Sequence, residues 1–340
     1  MGLTEMMSSG AHAPAPRRRR RWLGCLPLVV LLVVAVGVGW YLGVHQNLLP
    51  QQVVEGCVAT TGDGIVDLDV DQMQNASTIT AVSVSRDLPE WAATVALATA
   101  MQESQLVNLS GGDLDSVGLF QQRPSQGWGE ASQIEDPVYA TDKFLDRLVA
   151  VPGYAELPLT VAAQDVQHSG YPDAYAQHEP DATVLSGALS GRIPAAETCQ
   201  VNSVGAAASA SAGASAYSGQ LTKEFGRTVS PTVLPLPSGS GSGSASGSAS
   251  ASPSAATDAQ LTVSAEPGLT TAAQRGWAVA VWSVAHCQDL HVSAVRYAGK
   301  QWTAANSTAG WQPVAAASGS AAPTGSAAGT SSVLITVAAH

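Results

Sequence analysis

Thr94-Val-Ala-Leu-Ala-Thr-Ala-Met-Gln-Glu-Ser104 is an apolar run that ends in a carboxyl and a hydroxyl, and its reading decides the fold of the chain around it. Leu88-Pro89-Glu90 just ahead is a helix start, because proline fits the first turn and an acidic side chain there complements the helix dipole. The spacing predicts a helix over 89–105 with Trp91, Val95, Leu97, Ala98 and Met101 as its apolar positions. Glu103 falls near the end of that helix. Desolvation among Leu, Ala and Met would hold its carboxyl above the usual range, and a general acid working at neutral pH needs that. The plainer alternative is a solvated carboxylate on the helix's outer face.

Ser116-Val-Gly-Leu-Phe-Gln-Gln-Arg-Pro124 follows downstream. Together with Glu103-Ser104 it resembles the lysozyme-like family of soluble lytic transglycosylases, over residues 71–176. In that family a Glu-Ser pair ends a helix, and a Gly-Leu-Met-Gln segment ending in proline lines the sugar-binding cleft. Here Gly118-Leu119-Phe120-Gln121 takes that place and Pro124 closes it. Asp136-Pro137, opening a helix that ends in a Leu-rich turn, looks like the family's next element. The chain is also similar to membrane-anchored lysozyme-like proteins of actinobacteria.

The resemblance implies cleavage of peptidoglycan glycan strands between N-acetylmuramic acid and N-acetylglucosamine. Glu103 would protonate the glycosidic oxygen and then, as carboxylate, take a proton from the muramyl hydroxyl to close a 1,6-anhydro ring. Ser104, Gly118, Leu119, Phe120, Gln121 and Gln122 would form the substrate site, with Gln121 and the Ser104 hydroxyl orienting Glu103 or the N-acetyl group. No cofactor or metal is implied. The chain departs from the family at the third motif, where Ala-Tyr-Asn-x-Gly is replaced by Val166-Gln167-His168-Ser169-Gly170. Tyr171 or Tyr175 is then the substitute for the missing tyrosine, although a tyrosine in such a turn also reads as a packing residue. Asp113 and Asp115 offer a second carboxylate for a hydrolytic, lysozyme-type mechanism, while Asp after Gly-Gly ordinarily caps a turn or helix. The alternative function is a non-catalytic lysozyme-like domain that binds peptidoglycan or envelope partner proteins. An envelope scaffold is a third reading.

Composition bounds these readings. Only 12% of the 340 residues are charged, about half the usual share, so unstructured segments are expected between smaller folded units. The net charge of -11 lacks the basic footprint that nucleic acid requires. Residues 57–204 carry twenty acidic side chains against five basic ones, whereas five arginines form one run at 17–21. No residue from 22 to 41 is charged, and twenty helical residues span about 30 Å of hydrocarbon. The expectation is a cytoplasmic tail at 1–21, a single transmembrane helix at 22–44, and an extracytoplasmic remainder. Cys57 and Cys199 bracket the best-patterned stretch, and in an oxidising compartment a disulfide between them is expected. No metal site is expected. Cys287 with His286 and His291 lacks a fourth ligand at a recognisable spacing, and Asp67-x-Asp69-x-Asp71 lacks the Gly and Glu of a calcium loop at Gln72 and Thr78.

The fold class expected is mainly α. A lysozyme-like domain at 57–204 carries helices over 71–85, 89–105, 136–148 and 159–168. An Ala/Ser/Gly-rich disordered linker follows at 205–258. A small Trp-rich α+β unit at 259–340 then carries a helix over 271–288 and strands over 292–297, 300–303 and 332–337, with a low-complexity insert before the last. Its tryptophans are expected to form its core.

Overall fold

Proline and aspartate punctuate the helical part where the sequence places them. In the computed structural model, which describes Val36 and residues 53–235, 258–314 and 332–340, the first helix, α1, is Val70–Ser85. The Gln72 side chain accepts the backbone N–H of Asp69 at its start. Helix α2 is Glu90–Ser104, after Pro89; α3 is the short Ala131–Ile134. Helix α4, Pro137–Ala150, has the Asp136 carboxylate accepting from the Val138 N–H, and α5 is Leu159–Gln167. A tight helical turn at Pro172–His178 leads into α6, Glu179–Leu189.

α1 and α2 are the axis of this part and are buried on nearly every face. Ser77, Thr80 and Ser83 of α1 would read as a solvent face. Instead each is buried and returns its hydroxyl to a carbonyl one turn back, so no donor is orphaned. The small side chains of α2 let α6 lie close against it, with Thr94 donating to Ser186 at 2.8 Å.

Three short strands clamp the two ends of this region together. β1 (Gly56–Thr61) pairs antiparallel with both β2 (Gly64–Leu68) and β3 (Glu197–Gln200). Cys57 faces Cys199 across the β1–β3 ladder and the two are joined as a disulfide. Glu197 is fully buried beside it, and burial alone holds its carboxyl well above the ordinary range.

The remainder is a second layer rather than a separate unit. Helix α7 (Ala210–Phe225) and helix α8 (Ala272–Ala285) accompany β4 (Val229–Val233), β5 (Ala259–Ala265), β6 (Val292–Tyr297), β7 (Lys300–Thr303), β8 (Gln312–Pro313) and β9 (Ser332–Val337). These strands form one antiparallel sheet in the order β4-β5-β9-β6-β7-β8. α8 packs on β5, β6 and β9 and also on α1, α6 and β3, so the described residues from Val53 to His340 share one core. Trp277, Trp282 and Trp302 are buried in it, and the indole N–H groups of Trp302 and Trp311 donate to the carbonyls of Cys199 and Glu197. The expected core role of these tryptophans holds, and they additionally seal the second layer onto the first.

Two expectations need correction. The fold is mixed, with helices and two antiparallel sheets, rather than mainly α. Part of the expected linker at 205–258 is folded: α7 begins with the Ser209 hydroxyl accepting from the Ala212 N–H, and β4 follows. The physical reason is a stripe of Ala214, Tyr217, Leu221 and Phe225, all buried on one face despite the Ala/Ser/Gly composition around them. The expected tail at 1–21, the membrane helix at 22–44 apart from Val36, and the low-complexity tracts 236–257 and 315–331 lie outside the described residues. Among the described residues no helix is long and apolar enough to cross a membrane.

The folded α7 brings a carboxyl into the core. Glu224 accepts from the Trp282 indole N–H at 2.6 Å and from Gln220 at 2.7 Å, with His286 Nε2 3.7 Å away. Burial pushes Glu224 up to about 7, against those hydrogen bonds, and pulls His286 down to about 3. Such a carboxyl contributes stability that is full below the unfolded value near 4.5 and is lost as pH rises through about 7. The histidine acts in the opposite sense, contributing above about 6.5 and losing it as pH falls toward about 3. Over the shared window the two slopes offset. Glu224→Gln is therefore expected to gain stability relative to wild type as pH rises from about 4.5 to about 7, on the order of 1 kcal/mol per pH unit at mid-window. Urea unfolding across that range checks it; parallel curves for the two proteins would show that folding leaves the Glu224 carboxyl at its unfolded value.

Candidate functional site

The last turn of α2 carries Glu103 out of the core. Immediately behind it the chain reverses through Gln105 and Leu106, both left-handed (φ 55° and 62°). That reversal is held by Gln72 and Asn75 of α1, which donate to the carbonyls of Gln105 and Leu106 at 2.9 and 2.8 Å, and by the buried Leu106 side chain. Two non-glycine residues in this region cost on the order of 1 kcal/mol each, so their position is one the surrounding packing imposes.

The Gly-Leu-Phe-Gln segment docks against the end of α2 by its backbone. Val117 and Gln122 bridge as a tight hairpin, and the buried Ser104 hydroxyl donates to the Leu119 carbonyl at 2.7 Å. Gly118 adopts φ 78°, and a Cβ there would lie 2.6 Å from the Ile134 carbonyl oxygen, so only glycine lets the hairpin approach α3. Leu119 and Phe120 are fully buried, Phe120 stacking on Phe144 of α4 with ring centroids 4.8 Å apart. Gln122 is buried and donates to the Ala140 carbonyl at 3.0 Å. Gln121 alone of Gly118-Leu-Phe-Gln-Gln122 reaches the candidate cavity.

That cavity measures about 270 Å³ and is lined by Glu103, Gln121, Arg123, Gln126, Trp128, Arg147 and the segment Gln167, His168, Ser169. Tyr175, buried in the turn before α6, donates its hydroxyl to Glu103 Oε1 at 2.8 Å. Burial holds the Glu103 carboxyl above its ordinary range, opposed by hydrogen bonds from Tyr175 and then Gln167. The Tyr175 hydroxyl is itself held protonated, by burial first and by the neighbouring Glu103 second. The pair is an acid with a fixed donor, the Tyr175 hydroxyl, on Oε1, at the wall of the cavity.

Several sequence expectations change at this point. Ser104 is a strut between the helix end and the hairpin, since its hydroxyl is committed to carbonyls of Leu119 and Ala100. Gly118, Leu119, Phe120 and Gln122 support the cavity from behind. Tyr171 is 78% exposed and is not among the lining residues; Tyr175 takes the place expected for it. Asp113 and Asp115 do not line the cavity either, so among the described residues Glu103 is its one carboxylate. Asp115 instead binds Arg123 Nε at 2.8 Å and the Ser125 N–H at 2.7 Å, and these contacts hold its carboxyl far below the usual range. The altered third motif does supply lining residues, Gln167 to Ser169. Gln167 also donates to the Phe120 carbonyl at 2.9 Å, tying α5 to the hairpin.

Residues the sequence reading passed over are Arg123, Gln126, Trp128 and Arg147. The available signal was rarity: Arg123 and Arg147 are two of only five basic residues in 57–204. Among the described residues the one cluster with metal-ligating atoms is Cys57, Glu197 and Cys199. Both sulfurs there are spent in the disulfide, so the cluster offers no thiolate. Cys287 is a buried free thiol that burial pushes up to about 12. No protein-family model matches the chain, and no curated protein compared with it is recognisably similar in sequence.

Proposed function

We propose that the protein cleaves peptidoglycan glycan strands between N-acetylmuramic acid and N-acetylglucosamine as a lytic transglycosylase. The observation that carries this reading is one raised carboxyl, Glu103, held by the Tyr175 hydroxyl in a cavity with no second carboxylate among the described residues. A hydrolytic pair of carboxylates would need a partner across the cavity, whereas closure of an anhydro ring by the muramyl hydroxyl needs only one. Protonated Glu103 donates to the glycosidic oxygen as the bond to the muramyl anomeric carbon breaks. The resulting carboxylate then takes the proton of the muramyl 6-hydroxyl as that oxygen bonds to the anomeric carbon. Glu103 ends protonated, as it began. Gln121 and Gln167, both lining the cavity, would bind N-acetyl or hydroxyl groups of the sugars.

Such a substrate lies outside the cytoplasm, and an anchoring helix at 22–44 would hold the enzyme beside it. The test is incubation of the protein with purified peptidoglycan and mass spectrometry of the released muropeptides. Products ending in 1,6-anhydromuramic acid are expected. Reducing ends would mark a hydrolase, and retained binding without any Glu103-dependent product would mark a glycan-binding protein.

A further inference from the structure

We propose that Arg147 is a specificity residue of the same cavity, binding a carboxylate carried by the muramyl residue of the substrate. The inference rests on the glycan-cleaving reading and adds the class of strand the site prefers. The two arginines lining the cavity are not equivalent. Arg123 is paired with Asp115 at 2.8 Å, and this contact largely neutralises it. Arg147 has no carboxylate within ion-pair distance among the described residues, although its neighbourhood in sequence is rich in them.

Its geometry is that of a guanidinium held in advance of a ligand. The Arg147 Cζ lies 3.4 Å from the centroid of the buried Trp128 ring, and Nη2 donates to the Gln126 carbonyl at 3.3 Å. Trp128 is positioned in turn: the Tyr139 hydroxyl, two turns earlier on α4, donates to its carbonyl at 3.2 Å. Gly129 follows with φ 127°, where a Cβ would lie 2.3 Å from that hydroxyl. Stacking fixes the plane of the guanidinium, its remaining N–H groups have no acceptor among the described residues, and a planar fork of this kind suits a carboxylate. Nor does Arg147 serve Glu103, whose properties follow from burial and from Tyr175 and Gln167. In a region with four times as many acids as bases, an unpaired cation fixed inside the cavity is an anion site.

On a glycan strand, neutral N-acetylglucosamine offers no anion. The muramyl residue does, either as the free carboxylate of its lactyl ether when the stem peptide has been removed or as a carboxylate of the stem itself. The experiment uses the full chain carrying Glu103→Gln, so that ligands are bound and not consumed. Calorimetric titration compares three probes: a neutral N-acetylglucosamine tetramer, a peptide-free muramyl tetrasaccharide and the same tetrasaccharide bearing stem peptides. Adding Arg147→Gln is expected to weaken a carboxylate-bearing probe by about 10- to 100-fold and leave the neutral tetramer unchanged. Arg147→Lys should recover part of the loss, keeping charge without the fork. Loss confined to the peptide-free probe identifies the lactyl carboxylate, and loss confined to the other identifies the stem. Equal weakening of all three probes, with Arg147→Lys giving no recovery, would assign Arg147 to holding the Trp128 loop and overturn the inference. Unchanged affinity for all three would also overturn it. If no saccharide binds with or without Arg147, the inference falls together with the glycan-cleaving reading.

Discussion

Glu103→Gln is expected to lower the rate of anhydro-muropeptide release by about 10²- to 10⁴-fold, the range ascribed to a positioned general acid and base. Gln keeps the size of the side chain and an oxygen to accept from Tyr175, but it can neither give a proton to the leaving oxygen nor take one from the muramyl hydroxyl. The fold should survive, because the side chain is half-buried at a helix end and packs little of the core. Time-resolved muropeptide analysis alongside thermal unfolding separates lost chemistry from lost structure. An activity reduction below about tenfold would remove Glu103 from the role of acid.

The pH profile supplies an independent check. The reaction needs Glu103 protonated, so kcat/KM should fall as pH rises through the raised value of that carboxyl. The Tyr175 hydrogen bond favours the carboxylate and holds this value down. Tyr175→Phe removes that donor and is expected to move the alkaline limb to higher pH while reducing the maximal rate. A limb that stays in place would mean that Tyr175 only fills space.

The second large effect concerns stability. Replacing Cys57 and Cys199 together by Ala is expected to cost about 5 kcal/mol by loop-closure entropy, since the disulfide closes a loop with a sequence separation of 142 residues. That is a large share of the roughly 5 to 15 kcal/mol by which domains are stable. The ring contains every residue that lines the candidate cavity, and β1 and β3 are the only strands closing its ends among the described residues. Urea unfolding of the double variant against the oxidised wild type measures the loss, and reduced wild type should match the variant. A difference below about 1 kcal/mol would show that the β1–β3 ladder and the tryptophans packed on it hold the ends without the bond.

Helices α1, α2, α4 and α5 were legible in the sequence because their signals are local. Pro89 and Pro137 stand at helix starts, Asp136 caps, and apolar residues recur at helical spacing within a few turns. The strands at 292–297, 300–303 and 332–337 were legible for the same reason, as short alternating runs ended by turn residues. α7 was not, because the run 206–216 that leads into Tyr217, Leu221 and Phe225 is made wholly of Ala, Ser and Gly and reads as a linker. β3 was not, because a short strand has no identity until it pairs, and it meets β1 across a sequence separation of 142 at Cys57 and Cys199.

The candidate site divides in the same way. By itself the sequence determined which carboxyl ends an apolar helix and which glutamine follows the Gly-Leu-Phe turn, since both are matters of residue type at short range. Only the tertiary structure decided that Tyr175 rather than Tyr171 meets Glu103, that Asp115 faces Arg123 instead of the cavity, and that Arg147 lies on Trp128. Each of these depends on the direction a side chain takes from its backbone. That direction is set by packing between segments distant in the chain, which no local pattern of residues encodes.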